Sequence, residues 1–196
     1  NPTTELMKNI VTAQYEGERP LTKDEMMGMI TLLYIGGLDT VYSSLGWIFR
    51  HLAADQALQQ RLRANPEQIP WAMEEFLRAY PVAQPHRKIK QDIVFHGVPM
   101  RQGDHVLMAT FAAHRDPRAY ENPHEVDIDR KPRHLTFAAG PHLCLGIHLA
   151  KRELKTVVEA FLSRFRNIRM RTGEGYEYHT GGTWGVDRLV LEWDRV

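Results

Sequence analysis

Phe137-Ala138-Ala139-Gly140-Pro141-His142-Leu143-Cys144-Leu145-Gly146 carries the only cysteine of the chain, and helical periodicity begins immediately after it. A helix N-terminus with converging backbone N–H groups favours an anion, and the thiolate is the form of cysteine that ligates metals. Gly140, Pro141 and Gly146 let the backbone turn tightly. Glycine lacks a Cβ, so such a loop can also lie flat against a large planar cofactor. Read this way, Gly140 and Gly146 bind the cofactor and Cys144 is the axial ligand of a haem iron, which favours O–O cleavage. Two plainer readings stand beside it. A lone cysteine is often a small buried hydrophobe, and His134, His142, Cys144 and His148 are near enough in sequence to supply a zinc site. Zinc leaves the Phe and Gly positions of the loop unexplained, and the chain has no Cys-x-x-Cys pair.

With 196 residues, 43% hydrophobic and 25% charged, the chain can bury a sizeable core as one domain or as part of a larger one. A formal charge of +1 gives no whole-chain electrostatic footprint for nucleic acid. One cysteine excludes an intrachain disulfide framework and fits a reducing cytoplasm. No apolar run approaches the roughly 18 residues of a membrane span, and no secretory signal precedes the first helix. The chain opens at Asn1 and enters helical periodicity within a few residues, as expected of a piece of something longer.

Thr4 to about Tyr15 reads as a short helix and Glu16 to Pro20 as a polar connection. Thr22 and Glu25 then form a capping-box pattern. Behind them Met26, Ile30, Leu33, Val41, Leu45, Ile48 and Leu52 recur at helical spacing, while Leu32, Tyr34, Ile35 and Leu38 occupy other faces. A helix apolar nearly all round belongs inside a protein, and this one runs about 30 residues, or roughly 45 Å. Within it Gly36-Gly37-Leu38-Asp39-Thr40 breaks local rules, because each mid-helix glycine costs about 1 kcal/mol relative to alanine. Close helix packing is one explanation. The other is a local groove where the backbone opens to admit a diatomic ligand, with Thr40 and Asp39 relaying protons.

Asp55 to Ala64 reads as a further helix, and Pro70 opens the next at a position where its missing N–H costs nothing. There Glu75-Phe76-Leu77-Arg78 places a carboxylate and a guanidinium on one face; a surface ion pair is the default reading and burial the alternative. Short extended pieces between Arg87 and Ala109 read as a small antiparallel sheet. From Arg115 to His134 the chain is rich in proline and charge, without periodicity. Ile147, Ala150, Leu154, Val157, Val158 and Phe161 mark an amphipathic helix, and the last thirty residues read as a terminal hairpin.

Four motifs occur in order: Gly36-Gly37-Leu38-Asp39-Thr40, Glu75-x-x-Arg78, Arg115-Asp116-Pro117 with Asp127-x-x-Arg130, and the cysteine loop. Together they resemble the cytochrome P-450 family of haem-thiolate monooxygenases, over essentially the whole chain and matching the C-terminal half of a member. The likeness is strongest to the soluble bacterial class that includes camphor hydroxylase. The resemblance implies a mainly helical α+β fold with small sheets: a long central helix at 22–54, the Glu-x-x-Arg helix at 70–80, a sheet at 85–109, coil at 115–135, the cysteine loop at 137–146, a proximal helix at 147–164 and a terminal hairpin at 166–194. These belong to a single domain whose N-terminal half lies outside the chain.

The resemblance also implies roles. Cys144 is the iron ligand of haem b, with Phe137 beside the sulfur and Gly36 and Gly37 along the cofactor. His142 and Arg87 bind the propionates. Glu75, Arg78 and Arg130 form a structural ion-pair network. Thr40 and Asp39 deliver protons to bound dioxygen, and Leu32, Ile35, Ala83, Gly182 and Thr183 face a small hydrophobic substrate that is hydroxylated. Electrons come from a ferredoxin-type donor, for which Lys131, Arg133, Lys151 and Arg152 offer a positive patch. A cytoplasmic protein without membrane span or nucleic-acid partner is expected. The alternatives are a catalytically incomplete haem-binding fragment and a zinc-bound structural domain.

Overall fold

Local capping starts the first helices of the chain, whose computed structural model describes residues 3–196. Thr4 Oγ1 accepts from the N–H of Met7 and opens α1 (Glu5–Thr12). In place of a featureless polar connection, β1 (Gln14–Tyr15) and β2 (Arg19–Pro20) pair antiparallel across a turn in which Glu16 and Gly17 have positive φ. The capping box is present. Glu25 Oε2 accepts from the N–H of Thr22 at 2.8 Å, and Thr22 Oγ1 accepts from the N–H of Glu25 at 3.3 Å.

From this cap α2 (Lys23–Ala54) runs 32 residues and is unbroken through Gly36–Thr40. The expected opening of the backbone there is absent. Two glycines at about 1 kcal/mol each do not interrupt a helix whose propagation is cooperative on both sides. Nor does the chain form one compact unit. It divides into two within α2, the first ending at Asp39 and the second running Thr40–Val196. Burial explains the division. In the first unit Leu32, Tyr34, Ile35 and Leu38 are all more than half exposed, against the all-round burial their pattern suggests. In the second, Ser43, Ser44, Trp47, Ile48, Leu52 and Ala53 are buried.

The second unit is built on α3 (Gln56–Ala64), α4 (Ile69–Ala79) and α6 (Ile147–Arg164). Asp55 Oδ1 accepts from the N–H of Leu58 at 2.9 Å and starts α3. Pro70 sits in the first turn of α4. Leu52, Leu62, Met73, Phe76, Leu154 and Val158, none more than 1% exposed, fill the space between these helices, each contributing roughly 1.5–3 kcal/mol by burial. Gln59 is buried among them. Its Nε2 donates to the carbonyls of Leu52 (2.6 Å) and Ile168 (2.7 Å), and its Oε1 accepts from the N–H of Ile168 at 3.0 Å. A buried amide satisfied this way fastens α3 to the strand that follows α6.

The strands form nested antiparallel ladders. β3 (His86–Lys88) pairs with β6 (His105–Leu107) outside β4 (Ile93–Phe95) and β5 (Val98–Met100), so the expected single small sheet is two separate ladders. After α5 (Thr110–Ala113) no helix or strand occurs until a 3-10 turn at Gly140–His142. The C-terminal region is likewise two ladders, β7 (Phe165–Met170) with β10 (Leu191–Arg195) and β8 (Tyr176–His179) with β9 (Gly185–Leu189). β9 lies close against α2. A Cβ on Gly46 would stand 2.9 Å from Val186 Cβ, so only glycine permits this approach.

Candidate functional site

The N–H of Cys144 donates to the carbonyl of Phe137 at 2.9 Å, which closes the cysteine loop on itself. Ala138 (φ 60) and Gly140 (φ 66) take left-handed backbone, free of cost at the glycine and strained at the alanine. α6 begins at Ile147 with Gly146 as its cap, so the thiol lies just before the N-terminal end of that helix. Cys144 is half-buried. Leu143, Leu145 and Leu149 beside it are 54%, 88% and 60% exposed. One sulfur donor bordered by bare apolar side chains suits a haem, which takes a single axial ligand and offers large apolar faces.

The zinc set is not assembled. Among the described residues no three of His, Cys, Asp and Glu come together as metal ligands. His142 and His148 are exposed, while His134 Nε2 lies 3.2 Å from Glu74 Oε2 and its Nδ1 accepts from the N–H of Thr136. Cys144, half exposed, is not the inert core residue of the plainest reading either.

Beneath the loop, Glu75 and Arg78 are fully buried, so their pairing is not the surface contact that is the default for such a spacing. Arg78 Nε and Nη2 donate to the two Glu75 oxygens at 2.9 and 2.8 Å. The remaining N–H groups go to the carbonyls of His114, Pro123 and Glu125, each at 2.8 Å. Glu75 Oε1 also accepts from the N–H of Asp127 (2.9 Å) and from Arg130 Nε (3.2 Å). Burying two charges costs several kcal/mol each, which only this degree of saturation can offset. The network holds in place a coil that has no ladder of its own.

His114 also belongs to this network, and motif reading overlooked it. It is fully buried. The N–H of Leu135 donates to Nε2 at 2.7 Å, so the proton is on Nδ1, which donates to the carbonyl of Arg78 at 3.0 Å. Burial, with the nearby charges of Arg78 and Arg115, pushes its pKa down to about 4. A neutral imidazole thus pins the approach to the cysteine loop, and Thr136 Oγ1, donating to the carbonyl of Leu77 at 2.7 Å, adds a second tie. The available signal was position: His114 directly precedes the Arg115-Asp116-Pro117 motif.

Other expected site residues fall into separate groups. Ala83 forms a β-bridge with Thr183, and the carbonyl of Gly182 accepts from the N–H of Gln84 at 3.0 Å. These segments border a cavity of about 750 Å³ that Gly182, His86, Phe111, Arg115 and Trp184 help line. Arg87 is half-buried on β3 and donates to the carbonyl of His86. Thr40 is half-buried, and its carbonyl accepts from Ser44 Oγ at 2.8 Å. Leu32, Ile35, Gly36, Gly37 and Asp39 belong to the first unit and are exposed. Of the four basic residues near the loop, Lys151 is 2.8 Å from Glu74 and Lys131 lies over the Trp71 ring, so neither is an isolated surface charge.

Comparison with known proteins agrees with this geometry. The family model described as Cytochrome P450 matches residues 2–174. A probable cytochrome P450 127A1 of Sinorhizobium fredii is 37% identical over 98% of this chain and 47% of its own length. Cytochrome P450(BM-1) of Priestia megaterium is 36% identical over 86% of this chain and 42% of its own length. The crystal structure of CYP108D1 from Novosphingobium aromaticivorans superposes with a TM-score of 0.89 at 28% identity, covering 100% of this chain and 48% of that one. The chain therefore spans about half the length of the curated relatives it matches. With the family model matched over most of its residues, the chain belongs to the cytochrome P450 family.

Proposed function

We propose that the whole protein is a haem-thiolate monooxygenase that inserts one oxygen atom of O2 into a C–H bond of a small hydrophobic substrate, using electrons from a ferredoxin-type donor. The observation that carries this reading is the half-buried Cys144 just before α6, set among exposed leucines, with the approach to its loop tied through His114 and Thr136 to the helix that bears Glu75 and Arg78. Haem b, when bound, supplies oxygen activation at its iron, with the thiolate favouring O–O cleavage. Cys144 Sγ would hold the iron, Phe137, Gly140 and Gly146 would shape the loop around it, and Arg87 and His142 would bind the propionates as charge-assisted donors. Gly36 and Gly37 keep the helix profile low beside the cofactor. Thr40 Oγ1 holds the proton needed for oxygen activation, and the exposed Asp39 carboxylate replenishes it from solvent. In the second unit Ala83, Gly182 and Thr183 contact the substrate, and in the first Leu32 and Ile35 carry the apolar surface that the family resemblance assigns to it. Arg133 and Arg152, with Lys131 and Lys151, attract an acidic electron donor. Curated relatives include a steroid C26-monooxygenase of Mycolicibacterium smegmatis, 33% identical over 86% of this chain, which supports the reaction class. No helix among the described residues is long and apolar enough to cross a membrane.

The test is the carbon monoxide complex of the reduced full-length protein. A thiolate ligand places its main absorption far to the red of histidine-ligated haem. Cys144→Ser is expected to abolish that band, and a band that survives the substitution refutes the assignment.

A further inference from the structure

Four aromatic rings of the second unit form a sharply bent line of contacts, Trp184 and Tyr80 also lying 6.3 Å apart directly, and nothing in the proposed reaction uses them. Trp184 borders the cavity beside Gly182. Its ring centroid is 4.3 Å from that of Trp47, which is only 3% exposed and stacks at 5.7 Å and 4° on Tyr80. Tyr80 Oη is 2.8 Å from His51 Nδ1. His51 Nε2 is buried without a hydrogen-bond partner. Packing alone does not account for this end of the line, because an unsatisfied buried polar atom costs about 1–3 kcal/mol that an apolar side chain in its place would not.

Indole and phenol are among the most easily oxidised side chains, and a phenol loses an electron readily only when its proton can leave with it. The line offers both routes. Burial lowers the pKa of His51, against the pull of Asp55 and with the help of Arg50, so the imidazole is a free base near neutrality. Burial raises that of Tyr80, opposed by Arg50 and Arg115, so the phenol keeps its proton until it is oxidised. Trp47 is also 6.0 Å from Tyr176 and from Tyr178, and Tyr178 is 56% exposed.

We propose that Tyr80 and His51 form a redox-active pair that drains misdirected oxidising equivalents from the cavity through Trp184 and Trp47. Trp184 gives up an electron to a peroxide-derived one-electron oxidant, which is thereby reduced by one equivalent. Trp47 refills Trp184, and Tyr80 refills Trp47. As Tyr80 is oxidised its O–H bond breaks and an N–H bond forms at His51 Nδ1, leaving a neutral tyrosyl radical and an imidazolium. A small one-electron reductant of the ascorbate class, reaching the exposed Tyr178, returns the electron, and the proton goes back to the phenolate oxygen. The source of the oxidant rests on the haem reading; the pair itself does not.

The full-length holoprotein is mixed with hydrogen peroxide in the absence of substrate, freeze-quenched and examined by electron paramagnetic resonance. A tyrosyl signal that narrows on ring deuteration of tyrosine is expected. It should be lost in Tyr80→Phe, and in His51→Gln it should form about a hundredfold more slowly for want of a base. A parallel arm oxidises the protein with photogenerated ruthenium(III) tris-bipyridine, which needs no haem. A protein lacking the thiolate–haem spectrum that still forms the Tyr80 radical in this arm supports the pair and overturns the haem reading alone. A signal unchanged by Tyr80→Phe in both arms overturns the pair. If Tyr80→Phe does not fold, the unmodified protein decides: radical formation slowed in heavy water supports proton transfer to His51, and the absence of an isotope effect refutes it.

Discussion

Acidification should loosen this protein through one side chain in particular. His114 is neutral in the folded state because Nε2 accepts from Leu135 and Nδ1 donates to Arg78, and burial holds its pKa down from 6.5 to about 4. Between those two values the unfolded chain binds a proton that the folded one refuses, so stability rises with pH across this window and is flat above it. Each pKa unit is worth about 1.4 kcal/mol, so the whole window amounts to roughly 3 kcal/mol, a large share of the 5–15 kcal/mol that is typical of a domain. Urea unfolding followed by circular dichroism, from about pH 7 to about pH 4, should show the loss beginning as pH falls through 6.5. His51 is shifted in the same direction by burial and adds to the slope. The non-titrating variant His114→Gln isolates the effect: it should be less stable than the parent near neutrality yet show a clearly shallower decline on acidification. An identical slope in parent and variant would refute the argument.

Three further outcomes are expected. Glu75→Gln leaves the Arg78 charge buried and uncompensated, which should cost about 3–5 kcal/mol, read as a fall in the urea midpoint and in the fraction of protein recovered with haem. Gly46→Ala drives a methyl group to 2.9 Å from Val186 Cβ and should cost about 1–3 kcal/mol; pairing it with Val186→Gly, which removes that Cβ, should cost less than the sum of the two single changes, and strict additivity would show that the contact is not the cause. Thr40→Ala in the full-length enzyme should divert electrons into hydrogen peroxide at the expense of product, measured as peroxide formed per reduced cofactor consumed, and an unchanged ratio would count against proton delivery by its hydroxyl.

Local chemistry was readable from the residues. The Thr22–Glu25 cap joins groups three positions apart, and the bond that closes the cysteine loop joins groups seven positions apart, Cys144 and Phe137. The partners of His114 are 21 and 36 positions away, a distance at which no periodicity carries information. Motif spacing placed Glu75 and Arg78 on one helix face but was silent on the carbonyls that bury them. The Gly36–Thr40 segment misled for the opposite reason: its glycines are a local signal of a broken helix, and cooperative hydrogen bonding on either side overrides it. Likewise, alternating short strands announced β structure between His86 and Leu107 but not that the outer pair would enclose the inner.

Arg78 reaches into the coil between His114 and Glu125 chiefly by grasping three main-chain oxygens, and the one ring it lies over there is that of Tyr120, 5.3 Å away. Peptide oxygens are the same whichever amino acid bears them. The shape of this stretch is consequently decoupled from much of its own spelling: positions such as Arg118, Ala119 and His124 are free to drift through mutation while the path stays fixed. Most of the burden of inheritance falls on a few anchors, His114, Tyr120, Arg130 and above all the planar cation of Arg78, whose fork lysine, a point charge on a flexible stem, cannot imitate.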